Sequence, residues 1–300
     1  MRDPGLFMSK QMIAYFQQMH QHGAHSKSIK GLLKTKTLRI PPMKKITTIA
    51  LLTLTSALAQ AYQVEVNGGY SFTDLDIDGS DGLDNYNIGG TYYIAPVVAT
   101  NGPLAEAAFL QNASNVILNY ANSSSNDIDF EVDAVTVGGE YYLPNDPFYV
   151  SASYSSLNLE FGPDDSDADV FTASVGYLPV SNALLTIGLL NADADDDSET
   201  DVTLGAKYVG DTGANFYNLE GSVVFADDDN IINAAADFYV NPNASIGVTY
   251  ADGDLLGEDQ FGVRGQYFFT PQYAIGASYT SGEIADIDAD TYGISATARF

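Results

Sequence analysis

The chain has 300 residues, with 12 Lys and Arg, 39 Asp and Glu and a formal net charge of −27. It contains no Cys, which excludes disulfides and thiolate chemistry. Residues 62–300 hold 38 acids and 3 bases, a charge of 3 − 38 = −35, and no His. Phosphate binding needs clustered Lys and Arg, so we expect no nucleic-acid partner.

Residues 43–61 have the organisation of a secretory signal peptide. Met43-Lys44-Lys45 is positively charged, Ile46–Leu58 is apolar, and Ala59-Gln60-Ala61 forms a small-residue cleavage site. The apolar stretch is shorter than the roughly 20 residues that a membrane-spanning helix needs. We predict cleavage after Ala61, so that Tyr62 begins the mature, exported chain.

Residues 1–42 precede this signal and show no convincing periodicity. We interpret Met43 as the true start and residues 1–42 as an over-extended N-terminus that is absent from the mature protein. The sequence does not decide whether these residues are translated.

From Tyr62 onward, apolar residues recur at every second position and are separated by small or polar residues. Examples are Val64, Val66, Tyr70 and Phe72 in the first such segment. Successive side chains of a strand point to opposite faces, so each segment has one apolar and one polar face. Short turns such as Asn241-Pro242-Asn243 separate the segments and predict an all-β antiparallel fold.

A soluble β-sandwich would show the same alternation, but three features favour a transmembrane β-barrel. The polar faces hold little Lys, whereas the exposed faces of soluble sheets carry both charge signs. The last strand has an aromatic residue at the carboxyl end. Tyrosines also gather at the strand ends near the turns, as in a membrane-interface girdle: Tyr92, Tyr93, Tyr141, Tyr142, Tyr149, Tyr177, Tyr208, Tyr217, Tyr239, Tyr267 and Tyr273.

Turn and loop limits predict an up-and-down barrel of about fourteen strands over residues 62–300, with twelve or sixteen left open. An even number follows if both chain ends lie on the same side. The predicted spans are 62–74, 84–95, 114–122, 129–143, 148–161, 169–179, 184–193, 200–209, 216–226, 231–241, 244–252, 259–269, 273–282 and 290–300. In the fourth and fifth predicted strands the alternation of apolar residues slips by one position, between Val132 and Val135 and between Tyr154 and Leu157. A β-bulge adds one residue to a strand and would explain the slip, so we predict a bulge there.

Seven acidic clusters alternate with the short turns along the chain. We predict that they form extracellular loops and that the tight turns are periplasmic. The clusters are residues 74–84, 127–131, 164–169, 193–201, 227–229, 252–259 and 283–290.

The terminal residues Tyr292, Ile294, Ala296, Ala298 and Phe300 lie on one face of the last predicted strand. This segment resembles the C-terminal assembly signal of Gram-negative outer-membrane proteins, which ends in Phe. With Gly102–Leu110 after the second strand, the mature chain is similar to a family of outer-membrane porins. The resemblance implies location in the outer membrane, contact with lipid and lipopolysaccharide, recognition by the barrel assembly machinery, and a diffusion channel.

Residues 96–113 form the one long connection on the turn side, and Leu104–Leu110 has helical character after Asn101-Gly102-Pro103. One interpretation is that this segment folds into the lumen and narrows it. We prefer the other, a short helix that caps the periplasmic rim and packs against the wall without entering the pore.

No catalytic, metal or cofactor-binding residues are expected. Asp74–Gly79 matches the first half of a calcium-binding EF-hand loop, but Asn85 stands where a bidentate Glu is needed, and strands flank the loop. The missing His and the exposed acids also argue against an enzyme.

Five charged residues on the polar faces are predicted to line the pore: Glu65, Lys207, Glu220, Asp237 and Arg264. With so few bases, we expect passage of small solutes or ions with a preference for cations or neutral molecules. Lys207 and Arg264 could instead form wall salt bridges with Glu65, Glu220 or Asp237.

The alternative function is a non-conducting surface barrel whose acidic loops bind lipopolysaccharide or divalent cations. The solute and the oligomeric state do not follow from the sequence.

Overall fold

The computed structural model describes residues 61–76, 82–99, 102–125, 129–194, 197–226, 230–253, 259–284 and 287–300. Residues 1–60, which include Ala59 and nearly all of the predicted signal peptide, lie outside this range. Ala61 and Tyr62 already belong to the first strand. Signal cleavage therefore stays a prediction.

Fourteen strands make up almost all of the described chain: β1 Ala61–Leu75, β2 Leu83–Val98, β3 Asn115–Ser125, β4 Phe130–Tyr142, β5 Phe148–Phe161, β6 Asp164–Val180, β7 Ala183–Ala194, β8 Asp197–Asp211, β9 Phe216–Phe225, β10 Asn230–Asn241, β11 Ala244–Asp252, β12 Gln260–Thr270, β13 Tyr273–Ile284 and β14 Ile287–Arg299. Between β2 and β3, a 3-10 turn at Leu104–Glu106 leads into α1, Ala107–Leu110. Among these residues, no helix is sufficiently long and apolar to cross a membrane.

The strands form a closed antiparallel barrel in which each strand pairs with its neighbours in the chain. β1 closes the sheet on β14, from Glu65 opposite Arg299 to Leu75 opposite Ala289. Closure leaves no edge strand, so the backbone groups of the wall find their partners within the sheet. The prediction of a fourteen-stranded barrel is confirmed.

Several strands extend further into the acidic clusters than predicted. β6 begins at Asp164 rather than at residue 169, and β8 begins at Asp197 rather than at residue 200. The clusters at residues 164–169, 193–201 and 283–290 therefore lie largely on strands, and their prediction as loops is wrong. Alternating acids and small residues also fit a strand: in β6, Asp167 and Asp169 are exposed on the outer face while Ala168 between them is buried on the inner face. Residues 77–81, 127–128, 227–229 and 254–258 of the other clusters lie outside the described residues.

The bulge predicted in β4 and β5 is also wrong. These strands pair without interruption from Phe130 opposite Phe161 to Tyr142 opposite Tyr149. The apolar residues change face instead: Val135 and Val137 are 49% and 48% exposed on the outside, whereas Val132 is buried on the inside. Towards the acidic end, the inner face of β4 and β5 therefore becomes apolar.

The tyrosines near the turns divide between the two faces. Tyr92, Tyr141, Tyr177, Tyr208, Tyr267 and Tyr273 are exposed on the outer face, as the girdle prediction requires. Tyr93, Tyr142, Tyr149 and Tyr239 are buried, so their assignment to the girdle is wrong. Adjacent residues such as Tyr92 and Tyr93 must point to opposite faces of a strand.

A second set of tyrosines lies on the outer face towards the acidic end. In five hairpins the hydroxyl of a strand tyrosine donates to an aspartate carboxylate that follows the hairpin connection: Tyr70 to Asp84, Tyr120 to Asp133, Tyr154 to Asp169, Tyr250 to Asp259 and Tyr279 to Asp290. Such tyrosines combine an apolar ring with a polar tip, as residues at a membrane interface do.

Candidate functional site: the charged turn-side lumen

Most charged residues on the inner face of the described strands lie close to the turns, where the inner segment, residues 102–111, lies against the wall. Leu104 N donates to the carbonyl oxygen of Pro242 at 2.8 Å, and Arg299 Nη1 donates to the Leu104 carbonyl oxygen at 2.9 Å. These partners belong to the β10–β11 turn and to β14, far from the segment in the chain. The segment thus reaches across this end of the barrel.

Local sequence fixes where the inner segment begins and ends. Pro103 precedes the first helical turn with φ of −59°, a value that its ring favours. At the other end, the Gln111 amide donates to the carbonyl oxygens of Ala107 at 2.9 Å and Val98 at 2.6 Å. The Val98 amide returns a 2.9 Å bond to Gln111 Oε1, which ties the segment back to β2.

Apolar side chains of the inner segment pack into three parts of the wall. Phe109 lies in a cluster with Tyr142, Tyr149, Leu178, Leu184 and Val209. Leu104 and Ala105 pack with Tyr239, Phe268 and Ala274, whereas Ala107 packs with Tyr62, Tyr93 and Val97. Because these partners include inward-facing residues from many strands, the segment packs against the inner side of the wall at the turn end. Whether it narrows the pore or only caps the rim stays a prediction.

Glu106 connects the inner segment electrostatically to the wall. It is buried, accepts a hydrogen bond from Tyr239 Oη at 2.6 Å, and lies 2.8 Å from Lys207 Nζ. Lys207 also contacts Glu220, and its ammonium lies 5.0 Å from the centroid of the Phe109 ring. One lysine thus bridges two carboxylates and an aromatic face.

Burial alone would raise the pKa of Glu106, but the Lys207 ammonium and its hydrogen bond hold that pKa below the ordinary value of 4.5. The pair therefore stabilises the packed segment fully above this ordinary value. Its contribution is lost as the pH falls through that value towards the lower pKa of the folded protein. We expect hydrogen exchange of residues 102–111 to stay slow at neutral pH and to accelerate below about pH 4.5. Exchange that is independent of pH, after correction for intrinsic rates, would contradict this prediction.

Two further ion pairs continue along the wall. Arg264 binds Asp237 with two hydrogen bonds, of 2.8 and 2.6 Å, and Arg299 Nε binds Glu65 Oε2 at 2.6 Å. The Asn218 amide donates to Glu220 at 2.9 Å and to Asp237 at 3.2 Å, joining the Lys207 and Arg264 pairs. The two parallel hydrogen bonds between the Arg264 guanidinium and the Asp237 carboxylate fix both side chains in position.

The structure places all five charged residues predicted for the lumen on inward-facing strand positions. Lys207 meets Glu220 and Arg264 meets Asp237, which are two of the wall salt bridges considered as an alternative. Glu65 pairs with Arg299 rather than with either predicted base.

Sequence reasoning missed three charged residues of this region. Arg299 is 2% exposed, and its guanidinium lies 4.6 Å from the ring centroids of both Tyr62 and Phe268. Arg299 directly follows the outward-facing Ala298, so alternation alone could have placed Arg299 on the inner face. Glu140 accepts hydrogen bonds from Tyr149 at 2.9 Å and Asn115 at 3.0 Å. Glu106 lies outside the strands, where alternation gives no information.

The C-terminal segment completes the wall. Tyr292 and Ile294 are 52% and 65% exposed on the outer face, which they share by alternation with Ala296 and Ala298. Phe300 N donates to the Val64 carbonyl oxygen at 2.8 Å, and the Phe300 carbonyl oxygen accepts from Gln63 and Val64. The role of these residues in assembly remains a prediction.

No group of three or more His, Cys, Asp or Glu side chains in the described residues is arranged to hold a metal ion. The EF-hand-like stretch at residues 74–79 lies partly outside them.

Comparison with known proteins finds one matching family and several solved barrels of similar fold. The profile of a family described as "Putative general bacterial porin" matches residues 43–199 and 180–300. The solved structure of the Acinetobacter baumannii outer membrane protein Omp33 is 32% identical, with a TM-score of 0.65; the match covers 81% of this chain and all of that one. The CymD monoaromatic hydrocarbon channel is 11% identical, with a TM-score of 0.49, over 81% of this chain and 89% of its own. No curated protein matches significantly.

Proposed function

This chain belongs to the bacterial porin family whose profile it matches, and from that premise we propose a passive diffusion channel for small hydrophilic solutes that prefers cations or neutral molecules. As a porin it is an outer-membrane channel rather than an enzyme, and its outer face contacts lipid. We further propose that residues 43–61 direct its export, that the segment ending in Phe300 is recognised by the barrel assembly machinery, and that acids at the outer end contact lipopolysaccharide. Glu65, Lys207, Glu220, Asp237 and Arg264 are the proposed pore-lining charges.

The charge balance of the inner face supports the cation preference. In the described strands, inward-facing acids outnumber inward-facing bases, with Glu65, Glu140, Glu199, Asp201, Glu220 and Asp237 against Lys207, Arg264 and Arg299. Each of the three bases is already paired with a carboxylate, so its field on a passing ion is largely cancelled. Excess carboxylates in a lumen attract cations.

Reversal potentials in planar bilayers test this proposal. In a potassium chloride gradient we expect the potassium permeability to exceed that of chloride at low salt. The preference should shrink as salt rises, because the Debye length falls from about 30 Å at 0.01 M to about 3 Å at 1 M. Chloride preference at low salt would refute the cation preference. Absence of conductance from correctly assembled protein would instead favour the surface barrel that binds lipopolysaccharide or divalent cations.

A further inference from the structure

We propose that apolar residues on the inner face towards the acidic end form a selectivity collar. This collar favours small solutes that carry an apolar group over polar solutes of the same size and charge. The inference rests on the proposed channel function and specifies the solutes that the channel admits.

The collar lies above the charged region, at the opposite end of the lumen. Nine buried apolar side chains from β4, β5, β6 and β7 form one cluster, in which Leu157 lies opposite Ala134 and Ala168, and Val170 lies opposite Ala192. Leu75, Leu83 and Ala289 form a second cluster on β1, β2 and β14. Phe130 packs against both clusters and so links them.

The polarity of the wall reverses at this level. The same strands carry Asp133, Asn158 and Asp169 on the outer face, where they make polar hydrogen bonds. Closer to the turns, the inner face holds hydroxyl pairs, such as Thr136 with Ser155 at 2.8 Å and Ser153 with Thr172 at 2.6 Å. The interior of a membrane barrel is ordinarily polar, so an apolar inner zone departs from the pattern of the fold.

This arrangement has a direct effect on solutes. A polar group that enters an apolar constriction loses hydrogen bonds to water and finds few replacements. An apolar group instead gains free energy when it leaves water, and each methylene-sized increment favours its entry by roughly fourfold. Carboxylates of Glu199 and Asp201, inward-facing on β8 next to Ala192 and Leu190, adjoin the collar and suit a cationic or zwitterionic head group.

Free leucine and asparagine provide a matched test, because their side chains have nearly the same shape and both molecules are zwitterions. We expect leucine to enter proteoliposomes that contain the mature barrel about fourfold faster than asparagine, or more. The double variant Leu157→Asn with Leu159→Asn makes the same isosteric change in the collar. It should reduce the ratio of entry rates to about one, since the apolar surface on β5 is then removed.

Asn158→Leu is the matched control, because it makes the reverse isosteric change between the two leucines but on the outer face. Its ratio should equal that of the unsubstituted protein. Assembly is checked by heat-dependent gel mobility. If the double variant does not assemble, Ala134→Ser with Ala192→Ser adds two hydroxyls with little change in volume and should also lower the ratio.

Two results would overturn the collar: equal entry of leucine and asparagine into liposomes with the unsubstituted barrel, or an unchanged ratio in an assembled collar variant. In both cases solutes still enter, so the proposed channel stands. If neither amino acid enters and bilayers show no conductance, the proposed function fails, and the collar with it.

Discussion

Replacing residues 102–111 by a Gly–Ser linker of equal length is expected to raise the single-channel conductance by about twofold or more, because the constriction at the turn end then opens. The inner segment contacts β10, β14 and the wall cluster around Phe109, so it occupies cross-section that would otherwise conduct. A fourteen-stranded barrel is wider than the eight-stranded barrels whose side chains fill the interior. Planar-bilayer recording measures this effect directly.

The equal-length linker preserves the connection from β2 to β3 while removing Glu106, Phe109 and Leu104, whose contacts hold the segment inside. A matched control replaces residues of a different turn, Thr212–Ala214, by Gly and Ser, since that turn lies at the same end but makes local hydrogen bonds. Unchanged conductance in the linker variant, with assembly intact, would show that the segment does not limit flow.

Lys207→Met is expected to loosen the inner segment and lower the temperature at which the barrel unfolds on gels. The change leaves the carboxylates of Glu106 and Glu220 close together without the ammonium that they share. Removing one partner of a buried ion pair costs about 3–5 kcal/mol, since the remaining charge stays in a poorly hydrated site. We therefore also expect larger current fluctuations in bilayers than in the unsubstituted protein.

The double variant Lys207→Met with Glu106→Gln tests the cause. Glu106→Gln removes the more deeply buried of the two charges that Lys207→Met leaves without a partner, and it retains a group that can accept the hydrogen bond from Tyr239. The double variant should recover part of the lost unfolding temperature and show quieter currents than Lys207→Met alone. If both variants behave like the unsubstituted barrel, the ion pair does not hold the segment.

Particular residues show why some of the sequence predictions are correct and others are wrong. Alternation placed Glu65, Lys207, Glu220, Asp237 and Arg264 on the inner face because side-chain direction in a strand depends only on position. It misread β4 and β5, where Leu157 and Leu159 share the inner face with Ser153 and Ser155. Within a single strand, apolar residues that switch from one face to the other give the same sequence pattern as a shift in register.

The ion-pair partner of each charged residue could not be predicted from the alternation within its own strand. Glu65 could have met either predicted base, and the barrel brings it instead to Arg299, 234 residues away in the chain. That pairing depends on the closure of β1 onto β14 and on the register across the seam. Likewise, the four buried tyrosines near the turns line the site of the inner segment rather than the outer girdle.

The sequence by itself determined the barrel, a strand number of about fourteen and the inner or outer face of most side chains, because two-residue periodicity and tight turns act over a few neighbouring residues. Only the tertiary structure decided that residues 102–111 pack against the inner side of the wall, that Lys207 joins Glu106 to Glu220, and that apolar residues of neighbouring strands cluster on the inner face at the acidic end. These features depend on contacts between strands far apart in the chain. Such contacts exist only once the sheet has closed.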